Sequence, residues 1–298
     1  MRRVTIALAA ALAAACELQE VSIAEPEDLV VAEVLLYAGD PVQTALLHRT
    51  LGQDARVDGA RIEVRSDTRG VLRYQPAPDG DCITDLDEPA AASLGSCYTV
   101  QAPPGFLAPG ERYALRIDLA DGRVLTGTTV VPGAFEVVRP SELVCALRPD
   151  RPFELVWRRA EHAWVYVIET NLLGIGAALR ARGIAIDQGS LRLLGLSISA
   201  ADTTIVFPGE LGIFDRFDTD LADVLLALQR GLPPGVDADV LVGAADRNYV
   251  NWARGGRFNP SGLIRVPSVS GDGTGMFGAI VPRRLRLATV AGALLPPC

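Results

Sequence analysis

His48 and His162 are the only imidazoles in the chain, and lysine is absent: all 28 basic residues are arginine. That narrows the available chemistry. Schiff-base, Ser-Lys and P-loop mechanisms have no amine to use, and arginine cannot replace it because its pKa is too high for a general base. His-Glu-x-x-His, Cys-x-x-Cys and Gly-x-Ser-x-Gly do not occur, which removes the zinc-protease, zinc-ribbon and serine-hydrolase signatures. Each histidine falls in or beside an expected strand, where an exposed or hydrogen-bonded ring is the ordinary case. Gly273-x-Gly275-x-x-Gly278 fits the dinucleotide string, but that motif works only between a strand and a helix that receives the pyrophosphate. Here Pro282 and a strand-like tail follow. No catalytic residue and no metal ligand is assigned, and no cofactor is implied.

The carboxylates are more ambiguous. Asp79, Asp81, Asp85, Asp87 and Glu88 cluster around Cys82, and hard oxygen ligands of this kind bind calcium. The spacing does not match an EF-hand, because Pro89 falls where further ligands should follow. The stretch reads as a solvated acidic loop. Asp215, Asp218, Asp220 and Asp223 crowd an expected helix start, where negative charge is favourable without any metal. Paired carboxylates for glycoside hydrolysis stay open, since the two can lie far apart in sequence. Three Trp and six Tyr give few platforms for stacking sugars.

The cysteines speak to compartment. Met1-Arg2-Arg3 precedes an apolar run over 4–15 and then Cys16, the pattern of an export signal. The run is 12 residues, well short of the ~20 that span a bilayer. Ala13-Ala14-Ala15 before Cys16 resembles the lipobox of bacterial lipoproteins, in which the cysteine is lipidated and becomes the first mature residue. Leu12 stands one place earlier than the leucine of that motif. The alternative is an ordinary cleavage after Ala15 that leaves Cys16 free. Cleavage before Cys16 removes Arg2 and Arg3 and takes the net charge from −8 to −10. Such a body would not adhere to an anionic leaflet by its own surface, and the same acidic balance argues against nucleic acid.

Lipidating Cys16 leaves an even set: Cys82, Cys97, Cys145 and Cys298. Of the three possible connectivities, Cys82–Cys97 and Cys145–Cys298 are favoured. The first pair brackets one loop, and the second ties the C-terminus to a central strand. Four free thiols are the alternative.

The elements that must position these residues read as mainly β. After a signal over 1–15 and an acidic tether over 16–28, short apolar segments alternate with turn residues at 29–37, 43–49, 60–65, 70–75, 97–101, 113–119 and 124–131. Tyr113, Leu115, Ile117 and Leu119 alternate with Ala114, Arg116 and Asp118, which places one set inward and the other in water. Asp121-Gly122 suits a type I′ hairpin turn. Seven strands over roughly 110 residues suit an immunoglobulin-like sandwich spanning 29–135. A Pro-containing connector over 132–152 leads to a second β-rich domain at 150–298. There, 153–157 and 164–170 read as an antiparallel pair, with Trp157 resembling the core Trp of fibronectin-like and immunoglobulin-like sheets. Helices are expected over 175–182 and from Asp218 or Thr219 to 230, and further strands over 240–244, 262–266 and 285–290.

The layout is similar to a family of bacterial outer-membrane lipoproteins of unknown function, often found beside TonB-dependent receptors. The resemblance rests on Cys16, the opening strand Leu29-Val30-Val31-Ala32-Glu33, the hairpin from Pro109-Gly110-Glu111-Arg112-Tyr113 to Asp121-Gly122, and the tail from Gly271 to Gly278. It implies an immunoglobulin-like N-terminal domain, a β-rich C-terminal domain and an outer-membrane address. Asn248-Tyr249-x-x-Trp252 and Phe258-Asn259-Pro260-Ser261-Gly262 would lead into the Gly-rich stretch. The expectation is a lipid-anchored, non-catalytic binding or accessory module for a membrane receptor or ligand. An envelope hydrolase with dispersed carboxylates and a structural spacer are the alternatives.

Overall fold

Alternation along Arg112–Asp118 buries Tyr113, Leu115 and Ile117 and leaves Arg112, Ala114 and Arg116 in solvent. Each buried side chain of this size is worth roughly 1.5–3 kcal/mol, so the register is fixed by which face meets the core. The structure, a computed structural model, describes residues 27–51, 55–82, 95–213, 222–255, 266–289 and 295–298. Cys16 with its lipobox lies outside the described residues. So do Asp85, Asp87 and Glu88, the helix start at Asp215 to Asp220, and Phe258 to Gly262.

The first half forms β1 (Val30–Tyr37), β2 (Val42–Arg49), β3 (Arg61–Ser66), β4 (Gly70–Arg73), β5 (Gln75–Ala77), β6 (Ser96–Gln101), β7 (Arg112–Asp118) and β8 (Val124–Val130). One face is β1-β2-β6-β5 and the other β8-β7-β3-β4. This is the ABED and CFG arrangement of an immunoglobulin-like sandwich, with β4 as an added edge. The expected strand over 70–75 is divided. Its first part pairs with β3 and its last with β6, so the chain changes sheets at the buried Tyr74.

Tyr113 supplies the corner bond of such folds. Its hydroxyl donates to the Phe106 carbonyl at 2.5 Å and accepts from Ala108 N at 2.9 Å. The β7–β8 hairpin differs from the expected type I′ turn. Gly122 N bonds to Leu119 O and Leu119 N to Arg123 O, and φ is positive at Gly122 but not at Asp121. That is a three-residue loop with glycine at its left-handed end.

The second half contains β9 (Val137–Arg139), β10 (Val144–Ala146), β11 (Phe153–Trp157), β12 (Val165–Leu173), α1 (Ile175–Arg180), β13 (Ser190–Leu196), β14 (Thr204–Phe207) and β15 (Gly212–Ile213). It continues with α2 (Ala222–Gln229), β16 (Asp237–Ala245), α3 (Arg247–Gly255), β17 (Val269–Gly271) and β18 (Thr274–Ala288). The strand order β9-β11-β14 faces β13-β12-β16-β18. β11 and β12 are therefore not hydrogen-bonded neighbours, contrary to the expected antiparallel pair. They lie across the core from each other, where Trp157 and Tyr166 meet with ring centroids 5.2 Å apart and Phe135 packs on Tyr166 at 5.6 Å. A short connection that crosses between sheets reads in sequence like a hairpin. After α1, Gly183 N bonds to Arg180 O and Ile184 N to Leu179 O with Gly183 at φ 79°, a Schellman stop.

One strand joins the halves. Along residues 274–280, β18 runs parallel to β1; along 280–288 it runs antiparallel to β16. A continuous ten-stranded sheet results, and β17 adds to β8 in the facing sheet. Ala38 N bonds to Ile280 O, and Arg286 N bonds to Leu143 O beside β10. Pro282 falls between them, where β1 has ended and β10 has not begun, so its missing N–H leaves no partner unsatisfied. Gly275, at φ 138°, lets β18 lie against β1, because a Cβ there would sit 2.0 Å from Ala32 O. The Gly-x-Gly-x-x-Gly string thus runs from the β17–β18 turn into strand, and no helix follows it among the described residues.

Cys82 is bonded to Cys97 and Cys145 to Cys298, the pairs the spacing favours. In the chain-entropy picture these loops, 15 and 153 residues apart in sequence, contribute about 3 and about 5 kcal/mol.

Candidate binding cleft

Where β16 ends at Ala245, the edge of β18 would be left with bare backbone groups, and unpaired buried groups are costly. The residues that follow take over that edge. Asp246 N donates to Ala279 O at 3.1 Å. Asn248 Nδ2 donates to Phe277 O at 2.8 Å and to Thr128 O of β8 at 2.7 Å. Ser268 Oγ accepts from Phe277 N at 2.8 Å. These bonds pin the start of α3 over the seam between the halves. They leave a cleft of about 470 Å³ lined by residues from β7, β8, α3 and the turn before β12.

Asp246 caps α3. One carboxylate oxygen accepts from Tyr249 N at 2.9 Å, the bond expected of an N-cap aspartate. The other accepts from the hydroxyl of Thr129. With 4% of its surface exposed, Asp246 has its pKa raised by burial, opposed by the hydrogen bonds from Thr129 and the α3 backbone. Among the described residues it is the one carboxylate lining the cleft, and both its oxygens are engaged. Gly278 keeps this packing close, since a Cβ there would stand 3.1 Å from the Asp246 carboxylate.

The larger side chains of the rest of the lining are cationic or aromatic. Arg112 and His162 are exposed on the two walls. Arg247 stands 5.0 Å over the ring of Trp164, which is 51% exposed. Guanidinium stacking on indole holds the charge in place without neutralising it. Among the described residues, neither Arg112 nor Arg247 forms an ion pair. Glu111, the acidic neighbour of Arg112 in sequence, is turned away. It accepts from Ser66, Thr68 and Arg69, and these bonds hold its carboxyl down at about 2.

His162 is the one histidine the structure brings to the cleft. His48 lies on β2, 3.8 Å from Glu33. Of the acidic loop, Asp79 is paired with Arg56 at 3.0 Å. Among the described residues no group of three or more His, Cys, Asp or Glu could hold a metal ion. The run Arg283-Arg284-x-Arg286 is not an anion patch: Arg284 binds Asp40 at 2.7 Å, Arg286 binds Asp237 at 3.0 Å, and Arg283 donates to Phe135 O at 2.7 Å. Sequence reasoning missed Arg112, Thr129, Trp164, Asp246 and Arg247 as a group. One signal was available: Asp246 is a good N-cap type, placed just before the Asn248-Tyr249-x-x-Trp252 stretch that turns out to be helical.

On the outer face of the ten-stranded sheet, Glu169 sits near Tyr37 and Tyr249. Burial pushes its carboxyl pKa up, and Arg284 pulls it down. The same burial raises both tyrosines.

No family model matches the chain, and no curated protein matches it. Among solved structures it is similar to the crystal structure of Dpr11 IG1 bound to DIP-gamma IG+IG2. That match has 10% identity, covers 89% of this chain and 99% of that one, and has a TM-score of 0.17. The crystal structure of DIP-gamma IG1+IG2 matches at 9% identity, 89% and 98% coverage and a TM-score of 0.18. These are distant likenesses to immunoglobulin-domain proteins, and nothing about this chain's partners is drawn from them.

Proposed function

We propose that the chain is a lipid-anchored, non-catalytic envelope protein, held on a membrane through Cys16 and acting as a binding or accessory module for a receptor or ligand there. An outer-membrane address belongs to the same proposal. So does kinship with the lipoprotein family of unknown function found beside TonB-dependent receptors. The observation that carries the binding role is the make-up of the cleft. Two arginines, a histidine and an exposed tryptophan surround a carboxylate already committed to Thr129 and the α3 backbone. A hydrolase of the dispersed-carboxylate kind needs a second carboxylate within reach of the first, and among the described lining residues Asp246 is the one carboxylate.

Two further observations support the address. The export signal ends in Cys16, and two disulfides suit an oxidising compartment. No helix among the described residues is long and apolar enough to cross a membrane. Lipoprotein processing adds several acyl chains, where one alone binds reversibly. The test is fractionation of membranes carrying the wild-type chain or Cys16→Ser. We expect the wild type to stay with washed membranes until detergent is added and Cys16→Ser to be released without it. A Cys16→Ser chain that remains on the membrane sinks the lipid-anchor reading.

A further inference from the structure

We infer that the junction cleft binds the anionic group of its ligand, a carboxylate or a phosphate, between Arg112 and Arg247. The inference rests on the reading of the cleft as the binding face and names the chemistry it recognises. In a chain of net charge −8, two exposed arginines with no acidic partner among the described residues line the same cleft. Many surface arginines are matched with carboxylates, such as Arg49 with Asp28, Arg116 with Asp118 and Arg284 with Asp40. Others, such as Arg61 and Arg230, have no such partner among the described residues, so what sets Arg112 and Arg247 apart is their convergence on one cleft. Two acids beside the cleft arginines in sequence are withdrawn. Asp246 is buried against Thr129, and Glu111 is held by Ser66, Thr68 and Arg69.

The geometry also prepares the site. Arg112 projects from β7 and Arg247 from the first residue of α3, so each is carried by a regular element rather than by a loose loop. Asn248 and Asp246 fix the start of α3 to β8 and β18. Stacking on Trp164 orders the Arg247 guanidinium before a ligand arrives, which lowers the entropy lost on binding. A guanidinium presents paired donors that match carboxylate or phosphate oxygens. His162 opposite adds a donor nitrogen.

The test is calorimetric titration of the full exported chain with three probes: inorganic phosphate, glucuronate, and glucose as the uncharged sugar. We expect heat of binding from at least one anion, none from glucose, and affinity that falls as salt is raised. Arg112→Gln and Arg247→Gln should each weaken the anion about tenfold or more, the scale of one charge-assisted hydrogen bond. Arg230→Gln, exposed just after α2 at the opposite end of β16 from the cleft, should leave the affinity unchanged. Both cleft arginines are exposed, so the variants keep the fold, which circular dichroism checks. Arg247→Lys separates charge from planar geometry and should fall between the wild type and Arg247→Gln. Phosphate binding alone points to a phosphorylated ligand, and glucuronate alone to an acidic sugar. Equal binding of glucose, equal loss in Arg230→Gln, or no anion binding overturns the inference. If the anions fail while crosslinking still maps a partner to the cleft, the binding-face reading stands and only the ligand chemistry falls.

Discussion

Glu111 shows how one side chain ties the first sandwich together. It precedes the corner residue Tyr113 by two positions and reaches across to Ser66, Thr68 and Arg69 at the end of β3. Hydrogen bonding by Ser66, then Thr68 and Arg69, depresses its carboxyl pKa to about 2. The ionised form is thus favoured by the folded state. A depressed folded pKa gives stability that is fully present above the unfolded value and is lost as pH falls through the folded one. Unfolding by urea should therefore become easier between about pH 4.5 and about pH 2, and Glu111→Gln should flatten that part of the profile. An unchanged slope in the variant would remove Glu111 from the account. Asp246 behaves oppositely: burial raises its pKa, so its charged form is the one the fold disfavours. Glu111 does not stand out in sequence, because its partners lie roughly forty positions away; Asp246 shows only its N-cap type, since its bond to Thr129 spans more than a hundred positions.

At the scale of elements, β18 matters most. Its apolar stretch from Met276 to Val281 is buried on both faces, so it carries no period-two signal and resembles a glycine-rich loop in sequence. Only its tail, over 285–290, was legible as strand. The first-half strands were legible because one face of each meets the core and the other meets water. The division at Tyr74 and the facing of β11 and β12 were not, since sheet membership is set by the partner and not by the strand itself. α3 was illegible for a different reason: Arg247, Asn248 and Asn251 interrupt its apolar residues, and Asp246, Asn248 and the β18 edge hold it in place. Gly275→Val tests the join. With Ala32 O 2.0 Å from the new Cβ and φ at 138°, the β1–β18 pairing must open. We expect a loss of about 2–4 kcal/mol, the range of a large backbone or packing defect. Hydrogen exchange should speed up first at residues 31–37 and 274–280. A variant as stable as the wild type would mean that β1 does not depend on β18.

At the scale of the molecule, the immunoglobulin-like first half and the β-rich second half share a strand instead of hanging on a linker, and the shared strand creates the cleft. The walls come from β7 and β8 on one side and from Trp164 and α3 on the other, segments separated by up to 138 positions between Gly110 and Asn248. No local pattern could bring them together, which is why composition and motifs carried an architecture but no site. The account's central claim is that binding happens at this seam and not on the flanks. The direct measurement is photocrosslinking in intact envelopes from a probe in place of Thr128, whose side chain is exposed in the cleft, against a probe in place of Arg230, exposed just after α2 at the opposite end of β16 from the cleft. The account predicts a discrete adduct from position 128 and none from 230. Equal labelling from both, or none from 128 in membranes that carry the protein, would contradict it.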